Sequence, residues 1–166
     1  MKIGINAGHT KIGKGTGAVG LVNESIENRK IAYELMKQLS STSHEIVPII
    51  FDKSNDNLKE AVQIANKEKC DLFISIHLNA GGGQGSEIYT YKGKKLGQAT
   101  KVLGELKKLG FRNRGIKDGS HLYVVKNTTM TALLIEVCFV DNPTDTQLYK
   151  KVGIEKIAEA IKKGVI

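Results

Sequence analysis

The chain has no tryptophan, two prolines and two cysteines among its 166 residues, and only three arginines, Arg29, Arg112 and Arg114. Each shortage closes off a class of protein. Cys70 and Cys138 make neither a disulfide framework nor a cysteine-rich zinc site. Cys138 lies in an apolar run that suits a buried, reduced thiol. Three arginines form no dense basic stripe, so no nucleic-acid partner is expected. No apolar run reaches the length of a membrane span, so no membrane insertion is expected either. Met1-Lys2-Ile3-Gly4-Ile5-Asn6 has no apolar h-region and no cleavage site. It reads as a first strand and not as a signal peptide.

What is there is lysine. The net charge is +8 and the pI about 9.4. The lysines are scattered, mostly on what read as outer helix faces. Such a balance suits an anionic surface or polymer, with plain solubility as the bland alternative. A chain of this length can bury ~70% of its unfolded surface, so one core without staples is expected.

Periodicity alternates between strand and helix. Strands are expected at 2–6, 45–51, 71–79, 87–91, 122–125 and 132–139. Helices are expected from Asn23, a good N-cap, to about Ser40, then over 57–69, 95–109, 145–151 and 154–163. Pro48 puts the second strand towards an edge. Two strands, 71–79 and 132–139, are nearly continuous apolar runs. The expected fold is therefore α/β: one domain, with a twisted, mostly parallel (mixed) sheet of about six strands and helices on both faces.

In such a sheet ligands bind beyond the carboxyl ends of the strands. His9 follows the first strand, His77 ends the apolar run that dissolves into Gly81-Gly82-Gly83, and Glu136 lies late in the last strand. A carboxylate in that run needs a partner or a function, because an unpaired one costs several kcal/mol when buried. Helical geometry adds Glu24: at 100° per residue it lies about 20° from the inward Ile31 and Leu35, whereas Glu27 is turned by about 80° to a flank. The carboxylate preference of a helix N-terminus explains both equally well. Two histidines with a glutamate are a common catalytic zinc set, and a second carboxylate nearby would move protons. No His-Glu-x-x-His helix exists, so the ligands would come from separate elements. The residues themselves reach as far as a zinc hydrolase. A non-enzymatic basic module binding phosphate or polysaccharide through the glycine-rich loop at 13–20 stays open beside it.

An ordered set of motifs adds to this. Ile5-Asn6-Ala7-Gly8-His9, Gly17-Ala18-Val19-Gly20 leading to Asn23-Glu24, Ser75-Ile76-His77-Leu78-Asn79-Ala80, Leu122-Tyr123-Val124-Val125, and Leu134-Ile135-Glu136-Val137-Cys138-Phe139-Val140-Asp141-Asn142-Pro143-Thr144-Asp145 resemble the zinc-dependent N-acetylmuramoyl-L-alanine amidases of cell-wall hydrolases and phage endolysins. The resemblance runs along essentially the whole chain. It implies one Zn²⁺ held by His9, Glu24 and His77, with Glu136 as the catalytic carboxylate. The implied substrate is peptidoglycan, at the amide between N-acetylmuramic acid and L-alanine of the stem peptide. Asn79, Lys126, Asn127, Asn142 and Thr144 are expected on the same edge, as substrate or supporting contacts. His44 and His121 match no ligand position; they read as a loop residue and as a residue leading into a strand. Four positions depart from the family pattern: Thr10-Lys11 replace Gly-Gly, Thr131 replaces Pro, and Cys138 replaces Gly. They bear on loop shape and substrate preference and leave the proposed ligands in place. Residues 1–166 are expected to be a catalytic domain without a separate wall-binding domain. Without a signal peptide, release by a holin or by cell lysis is expected, unless the chain is a segment of a longer protein.

Overall fold

The computed structural model describes residues 1–166. The strands are β1 (Lys2–Ala7), β2 (Glu45–Ile49), β3 (Leu72–Asn79), β4 (Ser86–Thr90), β5 (Asn113–Asp118) and β6 (Thr131–Phe139). The helices are α1 (Glu24–Ser40), α2 (Asn57–Lys67), α3 (Gly97–Lys108), α4 (Tyr123–Asn127), α5 (Pro143–Val152) and α6 (Ile154–Val165). The six strands form one sheet in the order β2-β1-β3-β6-β4-β5. β2, β1, β3 and β6 run parallel; β4 is antiparallel to β6 and parallel to β5. The sheet is thus mostly parallel and mixed, and β2 with its Pro48 is an edge strand, as the sequence indicates.

Helices cover both faces unequally. A 28-residue buried cluster joins one face to α1, α3 and α6, whereas the cluster that joins the other face to α2 and α4 has only nine buried apolar residues. The thinner face leaves room for a cleft. β3 and β6 read as continuous apolar runs because both are central and covered twice, and every β3 residue but Asn79 is buried. α1 begins where Asn23 accepts the Ile26 backbone N–H, and it buries Ile31, Ala32, Leu35 and Leu39 against the sheet. One irregularity shapes the functional edge. His77 pairs with Glu136, but Asn79 pairs with Phe139, so β6 carries one extra residue as a bulge.

The expected strand at 122–125 is the helix α4 instead. Val124 and Val125 are adjacent and both buried against α2 and the sheet, which a helical turn permits and alternating strand geometry does not. Tertiary packing overrides the β-branched preference of the segment. The sheet's remaining strand is β5, whose sequence Asn-Arg-Gly-Ile-Lys-Asp is polar and mostly half-buried. It is an edge strand, so it lacks the apolar alternation by which buried strands are read.

Candidate active site

β1 ends at Ala7, and the backbone then turns through a left-handed His9, at φ 67°. That conformation is uncommon for a side-chain-bearing residue, although histidine tolerates it better than most. α1 holds the turn in place. Asn28 Nδ2 donates to the Gly8 carbonyl at 3.3 Å, and Arg29 donates to the His9 carbonyl at 3.2 Å. The same helix supplies Glu24, one turn earlier, so one rigid element positions a carboxylate and the strained histidine backbone together.

The three side chains meet at one oxygen. Glu24 Oε1 lies 3.0 Å from His9 Nε2 and 3.1 Å from His77 Nδ1. His77 comes from the carboxyl end of β3 and Glu24 is buried. Two glycines make the approach possible. A Cβ on Gly8 would lie 2.2 Å from the His77 ring, and one on Gly17, itself at φ 76°, would lie 2.7 Å from Glu24 Oε2. The glycine-rich loop thus forms a wall of the site at Gly17. It also contributes the Ala18 N–H, which donates to Glu24 Oε2 at 2.8 Å.

The outward ring nitrogens are engaged as well. His9 Nδ1 meets the Gly15 carbonyl at 3.1 Å, so that nitrogen carries the proton. His77 Nε2 meets Ser75 Oγ at 3.0 Å, and Ser75 Oγ in turn donates to Asn6 Oδ1 at 2.7 Å. This relay leaves Nε2 of His77 as the donor and its Nδ1 facing Glu24. Histidine ligands are oriented in this manner by partners on the far nitrogen. His9, Glu24 and His77 each offer a ligand atom, all within 4.8 Å of one another, so the group could hold a metal ion.

The electrostatics follow from burial and from that shared oxygen. Burial works to raise the Glu24 pKa, but the His77 and His9 rings at its Oε1, which can donate to it when protonated on both nitrogens, outweigh burial and hold the carboxyl well below the usual range. Burial also opposes charge on His9, yet the Glu24 hydrogen bond and charge leave it raised. His77 is lowered, because full burial outweighs the Glu24 contact. Glu136 differs from all three. Its Oε2 is buried with no hydrogen-bond partner. Burial, then the charges of Glu24 and Glu87, push its pKa up to about 8. As the register partner of His77, it stands beside the cluster on the next strand. His9, His77, Tyr89, His121, Leu122 and Glu136 are among the residues lining a cavity of about 290 Å³ over the thinner face of the sheet.

Four of the residues singled out in the sequence thus converge: His9, Glu24, His77 and Glu136. Asn79 lies at the same edge, but its Nδ2 is committed to Glu87 Oε1 at 2.8 Å. Asn142 caps α5 by accepting the Asp145 N–H and donates to the Gly83 carbonyl, while Thr144 is exposed in the first turn of that helix. Lys126 and Asn127 do not reach this edge. They end α4, where the Asn127 carbonyl accepts Asn66 Nδ2 and Lys126 lines a separate 420 Å³ cavity with Thr131 at the amino end of β6. The helical turn of α4 carries them away from the edge that a strand would have reached. His44 lies in its expected loop beside the Met1 amino group. His121 leads into a helix, not a strand, with its ring edge-on to Tyr89 at the cleft. Sequence reasoning missed Arg29, Ser75 and Asn6. The signal for Ser75 was present: it is a polar residue in an apolar run, two before His77 and hence on the same face.

A family model described as N-acetylmuramoyl-L-alanine amidase matches residues 3–166. The chain belongs to this family. An endolysin of Bacillus phage SPP1 is 34% identical over 177 residues, covering 97% of this chain and 63% of its own length. The catalytic domain of the endolysin CD27L, targeting Clostridia difficile, superposes with a TM-score of 0.90 at 37% identity, covering 99% of this chain and 96% of that one. The catalytic domain of CwlV, an amidase from Bacillus (Paenibacillus) polymyxa, gives a TM-score of 0.86 at 28% identity, covering 99% and 95%. The chain spans about half the length, 51%, of two Clostridium perfringens relatives that it matches at 34% and 33% identity. No helix of the amidase fold described here is long and apolar enough to cross a membrane.

Proposed function

We propose that this amidase domain hydrolyses the amide between N-acetylmuramic acid and L-alanine of the peptidoglycan stem, with Glu136 as the proton-transferring carboxylate and zinc held by His9, Glu24 and His77. The observation that carries the reading is the pairing of a buried, partnerless Glu136 Oε2 with His77 in adjacent register. A carboxylate oxygen buried without a partner is costly, and its place beside a two-histidine, one-carboxylate donor set fits proton transfer in amide hydrolysis.

The donor set suits the ion. Both histidine nitrogens that face Glu24 are fixed by a partner on the opposite side of the ring, and the carboxyl of Glu24 is held ionised. Zinc, when bound, supplies Lewis-acid polarisation and makes water acidic enough to react near neutrality. The rest falls to the chain. Glu136 accepts a proton from the attacking water and delivers it to the leaving alanine nitrogen. A carboxyl near pKa 8 is a ready acid but a poor base in the metal-free protein; a dication beside it lowers that value towards the working range. The cavity over the thinner sheet face, with Leu122 and Tyr89 among its walls, opens beside Glu136 and His77. The net charge of +8 suits an anionic wall. We further propose residues 1–166 as the catalytic domain, acting on the cell wall.

The test is Glu136→Gln with metal content measured alongside activity. Retained zinc with lysis reduced by about 10²- to 10⁴-fold is expected for lost general acid–base catalysis. Retained zinc with full lytic activity would refute the role.

A further inference from the structure

β6, β4 and β5 lie side by side. Glu136 on β6 is directly opposite Glu87 on β4, and opposed residues of an antiparallel pair project to the same face. Arg114 on β5 extends the row: its Nε donates to Glu87 Oε2 at 2.8 Å. Outward from the metal-binding group, the sheet therefore presents His77, Glu136, Glu87 and Arg114, one per strand. With strands ~4.8 Å apart, the Arg114 backbone lies about 10 Å from that of Glu136.

Arg114 is fixed from two directions. Glu87 is 3% exposed, and its other oxygen accepts Asn79 Nδ2 at 2.8 Å and Tyr89 Oη at 3.0 Å. It is a fully held carboxylate, and it locks the guanidinium through Nε. The guanidinium carbon also lies 5.0 Å from the centroid of the Phe139 ring. Phe139 reaches this face because of the β6 bulge, which brings it into register with Asn79, two residues beyond His77. The two terminal nitrogens of Arg114 meet no protein acceptor, and the side chain is 31% exposed. A guanidinium anchored through Nε, with both terminal nitrogens free, is preorganised for a bidentate carboxylate.

We propose that Arg114 binds a carboxylate on the peptide side of the scissile amide, borne by the second residue of the stem. This rests on the amide-hydrolysis reading of the same edge. Glu136 protonates the leaving nitrogen, so the departing peptide begins at Glu136, and the proposal runs it along the row towards Glu87 and Arg114. An extended chain advances about 3.5 Å per residue, which puts a carboxylate on the second residue roughly 7 Å from the scissile carbon. An arginine two strands away, reaching back to Glu87, meets it there. The site thereby selects the chemical state of that stem residue, free acid over amide.

The experiment compares two substrates: a muramoyl dipeptide whose second residue bears a free carboxylate, and the same compound as the carboxamide. The wild-type domain should favour the acid by about tenfold to hundredfold in kcat/KM, carried mainly by KM, as expected for a charge-assisted contact present before and during reaction. The double variant Glu87→Gln/Arg114→Gln removes both charges together, so neither is left buried and alone; checked for native circular dichroism, it should lose the preference. Equal kcat/KM for both substrates with the wild type would overturn the role of Arg114 while leaving the hydrolase reading standing, and so would a preference that survives in the folded double variant. Cleavage of neither substrate would instead strike the hydrolase reading, and this proposal with it.

Discussion

Glu136→Gln should stabilise the metal-free domain, and increasingly so as the pH rises. Glu136 has its pKa raised from 4.5 to about 8 by burial and by the charges of Glu24 and Glu87. The folded state therefore holds a proton that the unfolded chain has already released between those values. Stability falls wherever the native state binds more protons than the unfolded state, so this carboxyl costs nothing below about pH 4.5 and its full penalty above about pH 8. At 1.36 kcal/mol per pH unit the penalty is on the order of 5 kcal/mol, or roughly 10–20 °C in Tm for a chain of this length. Glutamine occupies the same space and never ionises. Urea unfolding in the presence of chelator, at pH 5 and pH 8.5, should show the gap between variant and wild type widening by a few kcal/mol. The titrations of His9 and Glu24 largely cancel in that difference. Parallel stability profiles for the two proteins would refute the claim that Glu136 is desolvated and unpaired. Adding zinc to the wild type should narrow the gap, because a neighbouring dication stabilises the ionised carboxylate.

Gly8→Ala should abolish metal binding in a domain that still folds, because the new Cβ would meet the His77 ring at 2.2 Å; isothermal titration with zinc checks it, and unaltered affinity would show that the ring can move aside. Ser75→Ala removes the acceptor for His77 Nε2 and should weaken zinc about tenfold to hundredfold, read by competition with a chromogenic chelator. Arg29→Met frees the His9 carbonyl and the left-handed turn that carries it. Its zinc affinity should fall by a similar factor and its unfolding midpoint with it, whereas loss of stability alone would confine Arg29 to a structural role.

The parts legible in the sequence are those in which one residue breaks a strong pattern. His77 and Glu136 each interrupt an apolar strand, and Glu24 lies on the inward stripe of an amphipathic helix, so period and register bring all three to one edge. What sequence pattern does not carry is what depends on tertiary partners. β5 is polar because an edge strand needs little burial, and α4 is a helix because Val124 and Val125 pack together against α2. Lys126 and Asn127 leave the edge for the same reason. Arg29 and Asn28 act on backbone carbonyls of a turn whose left-handed geometry is fixed only in the folded chain. Glu87 and Arg114 are ordinary charges in sequence, and they become a row with Glu136 only through the antiparallel register of β4.

The most direct test is the identity of the ends released from purified peptidoglycan, with and without chelator. The account requires new L-alanine amino termini, abolished by chelator and restored by zinc. New reducing sugar ends, or release unaffected by chelation, would contradict it.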